Sequence, residues 1–240
     1  MNAMNVSVPA DPQPLHPGLS SDPGNVDLGS AALVSPLPHS PGVVNSPVNS
    51  PRLGILASGS GSNFEAVMQA IAQGQLQAEA AVLIYNQPGA KVADRAHQWQ
   101  VPSLLLNHRD YGDREGLDRA IVATLHQFGV QWVVMAGWMR IVTPVLIEAF
   151  PQRIINIHPS LLPSFKGIRA VEQALAAGVR IAGCTVHLVV ADVDSGPILM
   201  QAAVPVLATD TVDTLHARIQ VQEHRILPAA IAQAVASQGG

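Results

Sequence analysis

From Arg52 onward, short apolar runs alternate with stretches whose apolar residues recur at helical spacing. The runs are L-G-I-L-A-S (53–58), A-V-L-I-Y-N (81–86), S-L-L-L-N (103–107), W-V-V-M-A-G (132–137) and R-I-I-N-I-H (153–158). T-V-H-L-V-V (185–190) and P-I-L-M-Q-A-A-V-P-V (197–206) follow. Nearly continuous apolar runs of this length suit strands buried on both faces. Helical patterning fills 63–73, 89–99, 113–128 and 144–150, and a longer stretch at 211–237 is interrupted at Pro228. Thr143 followed by Pro144 reads as a helix start, a cap and then proline at the first helical position. Strand–helix alternation predicts an α/β fold: an open, mostly parallel twisted sheet with helices on both faces. The last two runs are joined by the short turn Asp194-Ser195-Gly196-Pro197, which predicts an antiparallel hairpin at one edge.

Composition divides the chain near residue 51. Residues 1–51 hold ten of the 19 prolines, no aromatic residue and no Lys or Arg. Segments such as S-P-L-P-H-S-P-G sustain neither helix nor central strand, so 1–51 is expected to be a disordered Pro/Ser-rich tail without a catalytic role. A misassigned start codon would also explain it. Secretory and organellar targeting peptides need positive charge, and none occurs before Arg52. Residues 52–240 are expected to form a single domain. With 13 Lys+Arg and a net charge of -4, no basic stripe points to nucleic acid. No apolar run approaches the roughly 18 residues of a membrane span. Cys184 is the only cysteine, which excludes an internal disulfide framework and a multi-cysteine zinc site and fits a reducing compartment.

In such a sheet, ligands bind at the carboxyl ends of the strands. The first run ends in A-S-G-S-G-S-N-F (57–64), where the N–H groups of Gly61, Ser62 and Asn63 would open a helix toward an anion. It lacks the Gly-Lys-Ser/Thr of a P-loop, and Phe64 occupies the third glycine of a dinucleotide fingerprint. A Gly/Ser turn serves equally as plain punctuation or as a phosphate cradle. Asn156 and His158 sit two residues apart and so share a face at the last residues of their strand, ahead of Pro159. That is either an ordinary strand end or an amide and an imidazole aimed at substrate. Asp194 opens a tight turn for local reasons, or it is a carboxylate facing His158 that stabilises imidazolium. Gln220, Glu223 and His224 share a helix face, and Glu223 is a solvated charge or a holder of a cationic amine. Trp138 and Met139 read as core or groove wall, Arg140 as a solvated charge, and Asp192 as a loop charge. His187 reads as a satisfied buried histidine.

Taken in order, S-G-S-G-S-N-F, A-G-W-M-R-I-V, I-N-I-H-P-S-L-L-P-S-F-K-G, G-C-T-V-H-L-V, D-S-G-P-I-L-M-Q and Q-E-H-R-I-L-P closely resemble the phosphoribosylglycinamide formyltransferase family, over about residues 52–230. The resemblance implies the Rossmann-like formyltransferase fold. It also implies transfer of a formyl group from 10-formyltetrahydrofolate, a co-substrate, to the primary amine of glycinamide ribonucleotide in purine synthesis, with no metal. Asn156, His158 and Asp194 then match the catalytic trio. Gly61, Ser62 and Asn63 would bind the ribose phosphate and Glu223 the glycinamide end. Arg114 looks like the folate-contacting arginine. Met139, Arg140, Ile141 and Val142 look like one wall of the folate site, and Val190, Ala191, Asp192 and Val193 like the loop over the pterin. Amine attack on the formyl carbon develops an oxyanion, for which an amide and a protonated imidazole are suitable donors. Trp138 departs from the family, which often has Phe there, and the N-terminal tail lies outside the family pattern.

The resemblance leaves three rivals. A formyltetrahydrofolate deformylase would carry an N-terminal regulatory domain that the Pro-rich tail cannot form. A methionyl-tRNA formyltransferase would need a C-terminal RNA-binding domain. Against a non-catalytic folate-binding protein stands the intact trio. The expected partners are small-molecule substrates, without nucleic acid or membrane, and the expected state is a cytoplasmic monomer or weak homodimer.

Overall fold

A computed structural model describes residues 33–36 and 50–237. The strands are β1 (Leu33–Ser35), β2 (Arg52–Ala57), β3 (Glu79–Tyr85), β4 (Ser103–Leu105), β5 (Trp132–Met135), β6 (Ile154–His158), β7 (Ile181–Leu188) and β8 (Ile198–Pro205). The helices are α1 (Ser62–Ala72), α2 (Val92–Gln98), α3 (Arg114–Gln127), α4 (Pro144–Ala149), α5 (Ala170–Ala176) and α6 (Val212–Ser237). One eight-stranded sheet runs in the order β1-β8-β7-β6-β5-β2-β3-β4. Strands β4, β3, β2, β5 and β6 pair in parallel. From β6 outward the pairs β6–β7, β7–β8 and β8–β1 are antiparallel.

The apolar runs are buried on both faces, as their continuity requires. Ile55, Val134 and Ile155 belong to one core cluster, which also holds Phe64 of α1 and Ile219, Ile226 and Leu227 of α6. Their chain neighbours Leu56, Val133 and Ile154 belong to the other, beneath α3 and α4, with Leu117, Ile121 and Leu146. Alternation of side chains across the strand produces this division. No helix among the described residues is long and apolar enough to cross a membrane.

Several elements differ from their sequence-based expectation. The long helix passes through Pro228 without interruption. Ile226, Leu227, Ala230 and Ile231 are fully buried on both sides of it, and this packing outweighs the lost N–H bond. Helix α5 was not expected, although A-V-E-Q-A-L-A favours helix. Thr143 does precede α4 and Pro144 does open it, but the Thr143 hydroxyl makes no cap bond. Instead the Thr143 N–H donates to Asp118 Oδ2 at 2.6 Å. The β7–β8 hairpin is antiparallel but is not the edge, because β1 pairs outside it. Leu33–Ser35 thus departs from the disorder expected of residues 1–51, while most of that stretch lies outside the described residues.

Candidate active site

The loops that follow β2, β5 and β6, the β7–β8 connection and one face of α6 surround a cleft of about 640 Å³. At its base, β6 and β7 set Asn156 directly opposite His187 and His158 opposite Thr185. The shared face of Asn156 and His158 follows from strand period. Their opposition to β7 depends on a register that no single strand reveals.

Asn156 Nδ2 lies 3.0 Å from His187 Nε2. The other ring nitrogen of His187, Nδ1, stands 3.0 Å from the Leu188 carbonyl, which can only accept. His187 therefore donates from Nδ1, and its Nε2 lies between the Asn156 amide and the carboxylate of Asp194. Asp194 joins both histidines: Oδ2 is 3.4 Å from His158 Nδ1, and Oδ1 is 3.6 Å from His187 Nε2. His158 Nε2 donates to the Phe165 carbonyl at 2.9 Å. Both nitrogens of His158 thus face oxygen acceptors.

Asp194 is held there by the backbone. It adopts a left-handed conformation with φ 49, which Asp tolerates better than most residues. The Gly167 N–H donates to its Oδ2 at 2.8 Å, and Lys166 Nζ donates to Ser195 Oγ at 2.6 Å, so the loop after β6 and the β7–β8 turn are clipped together. Gly196 packs so closely that an added Cβ would collide with the Leu188 carbonyl. Burial alone would raise the Asp194 carboxyl, but the His187 hydrogen bond, the Gly167 N–H and the nearby His158 and His187 hold it below its ordinary value. Thr185 braces the segment after His158, donating to the Ser160 carbonyl at 2.6 Å and accepting from the Leu162 N–H at 3.0 Å.

At the opposite end of the cleft, Gly61 precedes α1 in a left-handed conformation, φ 76, and no side chain caps the helix. The first N–H groups of α1 are therefore free of a side-chain partner and suit an anion. A Cβ at Gly61 would lie 2.5 Å from Val92 Cγ2, so close packing also demands glycine. Arg95 Nε donates to the Ser60 carbonyl at 2.9 Å and Gln220 Nε2 to Ser62 Oγ at 3.0 Å, which tie the loop to α2 and α6. Glu223 is not a solvated charge. It is 5 % exposed, and Asn63 Nδ2 donates to its Oε2 at 3.0 Å. Burial pushes its carboxyl up, against the Asn63 bond and the charges of His216 and His158.

Between these ends, Met139, Arg140, Ile141 and Val142 form one wall and Val190, Ala191, Asp192 and Val193 another. Met139 and Ile168 are each 72 % exposed and Ile141 is 50 % exposed, so an apolar slot stands open at the rim. Arg114 does not line the cleft. It begins α3, on the same face as Asp118 one turn later, whose carboxylate holds Thr143 beside the slot wall. Trp138 is both core and cleft wall.

Sequence reading missed His187 as a site residue, the Gly167–Glu172 segment, His216, and the Asn63 side chain. Lone histidines carried no signal without the register. Gln220, one turn after His216, did stand out on the helix face, and it marked the helix side that meets α1.

Comparison with known proteins agrees with this geometry. The sequence profile of the formyl transferase family matches residues 51–231. Phosphoribosylglycinamide formyltransferase of Bacillus subtilis is 41% identical over 182 residues, 76% of this chain and 93% of that protein. The human trifunctional purine biosynthetic protein adenosine-3 is 43% identical over 186 residues, and the match spans only 18% of its length. The crystal structure of glycinamide ribonucleotide transformylase 1 from Symbiobacterium toebii is 46% identical, with a TM-score of 0.75 over 76% of this chain and 86% of that one. That of phosphoribosylglycinamide formyltransferase from Bacillus halodurans is 44% identical, with a TM-score of 0.74 over 76% and 94%. The chain belongs to the formyl transferase family, in its phosphoribosylglycinamide formyltransferase branch.

Proposed function

We propose that this cleft transfers the formyl group of 10-formyltetrahydrofolate to the amine of phosphoribosylglycinamide, with release of tetrahydrofolate. The observation that carries the reading is the chain of contacts Asn156–His187–Asp194–His158, set between an uncapped helix N-terminus with a buried carboxylate and an open apolar slot. The exposed Met139, Ile141, Ile168, Val190 and Val193 suit a flat, largely apolar ring system, and the backbone of 190–193 offers it hydrogen-bonding groups. The uncapped turn at Gly61, Ser62 and Asn63 receives the ribose phosphate, and Glu223 receives the amine end.

The bound folate supplies the formyl carbon. His158 and Asn156 supply donors to the oxygen that gains charge as the amine adds to that carbon. The Nε2 proton of His158 rests on the Phe165 carbonyl, so that carbonyl must yield it when the substrate oxygen arrives. Asp194 holds the imidazole in place and carries the proton between the attacking amine and the departing folate nitrogen. His187 keeps the Asn156 amide turned so that its orientation does not have to be found during the reaction.

The test is direct. Purified protein supplied with both substrates should form one tetrahydrofolate for each formylated amine. Equal release of formate with the amine left out would replace this reading with hydrolysis of the folate. Exchange of His158 for Ala should cut kcat by about 10²- to 10⁴-fold with the fold intact, and near-normal turnover would overturn the role of the imidazole.

A further inference from the structure

Strand β1 lies outside the stretch that matches the family, which begins at residue 51. It covers the outer edge of β8, with Leu33 opposite Ala203, Val34 opposite Ala202 and Ser35 opposite Gln201. Val34 is 7 % exposed and joins Met200, Ala202 and Val204 in the core, while Leu33 and Ser35 point outward. The strand is thus seated by one apolar side chain and its backbone.

An open sheet edge is a template for another chain, and proteins blunt edges with charge, proline, shortness or a cover. With β1 set aside, β4 and β8 would be the outermost strands, and they differ in these devices. Strand β4, at the far edge, is only three residues long. Strand β8 is eight residues long, and residues 195–209 contain no charged side chain, with Pro205 as the one breaker at the strand's end. Alternate residues Met200, Ala202 and Val204 are buried, so the edge continues a packed apolar face. The antiparallel direction of β1 is also the direction that β8 of a two-fold-related copy would take.

We propose that Leu33–Ser35 is an intramolecular cover strand that occupies the pairing edge of β8 and keeps a second copy of this chain from adding there. Without it, two β8 strands pair across a two-fold axis and the two sheets become continuous. The segment that precedes the catalytic domain then sets the assembly state, and it does so at a place remote from the cleft.

The test uses the full chain with Val34→Asp, which makes docking of β1 bury an unpaired charge. At low micromolar concentration the β8 amides that face β1 should lose hydrogen-exchange protection. As concentration rises, the mass by light scattering should climb toward twice that of the unsubstituted protein. Adding Ala203→Lys, a charge on the bared edge, should return the original mass. A chain lacking residues 1–49 removes the strand outright and retains all of residues 51–231, the stretch that matches the family. Unchanged mass at all concentrations in both variants would overturn the proposal. So would unchanged exchange at β8 in the Val34→Asp chain, and so would a doubled mass that Ala203→Lys leaves in place.

Discussion

Around Asp194, burial and hydrogen bonding pull in opposite directions, and the hydrogen bonds prevail. A carboxyl held below its ordinary value stabilises the fold fully above that value, and the contribution is lost as pH falls through the lower folded one. Asp194→Asn should therefore flatten the acid limb of the stability–pH curve, as followed by thermal melts, and lower kcat by about 10²- to 10⁴-fold. Glu223 has the opposite sign. Burial raises its carboxyl, so the ionised form is the one the fold disfavours, and folding stability rises as pH falls through the raised value. Glu223→Gln should raise Tm at neutral pH while it raises KM for the amine substrate and leaves the folate KM in place; a matching rise in both would place Glu223 outside the amine site. Of these residues, the shared face of Asn156 and His158 was legible because strand period is local, whereas the turn left Asp194 open as a turn former or as a carboxylate facing His158. His187 was not. Its role rests on sitting opposite Asn156, and cross-strand register is absent from the pattern of either strand alone. The side-chain link from Asn63 to Glu223 joins residues 160 positions apart and was invisible for the same reason.

At the scale of elements, α6 is anchored at its start by a half-buried ion pair. Arg218 Nη1 meets Asp210 Oδ2 at 2.7 Å, Nη2 meets Oδ1 at 2.9 Å, and Nη1 also donates to the Pro205 carbonyl at the end of β8. The hydrogen bond from Arg218 pulls the Asp210 carboxyl down to about 2. The stabilisation is thus present in full above the ordinary carboxylate range and lost as pH drops through about 2. Arg218→Met removes the cation from this carboxylate and should cost about 1.5–3 kcal/mol, read as a Tm lower by about 5 °C. Because α6 carries Gln220 and Glu223, the same variant should loosen the grip on the amine substrate before it affects folate. Gly61→Ala should be worse than its size suggests, since both its φ of 76 and the nearness of Val92 oppose a side chain. Loss of phosphoribosyl-substrate binding should exceed loss of folate binding. Most helices and strands were readable from apolar period. Pro228 misled because local propensity lost to packing on both sides, and β1 was hidden because its three residues gain their strand character from β8.

For the whole molecule, the sheet changes direction at β6, and the cleft lies where it does. The parallel strands β2 and β5 end in the loops that carry the uncapped helix start and one slot wall, and the antiparallel hairpin supplies the other wall and Asp194. Alternation of strands and helices made the parallel half legible. The antiparallel half was legible only as a hairpin, because nothing in β7 or β8 announces which strand they join. The two slot walls also differ in what they offer a ligand. The rim side chains Met139, Ile141 and Ile168 stand in the open, with little of their surface packed against the protein. The 190–193 wall leads straight into Asp194 and a Gly196 that admits no side chain. An inhibitor that gripped only the rim would depend on side chains that substitution can exchange one at a time. One that bonded to the 190–193 backbone would rest on groups that an exchange of side chains leaves in place.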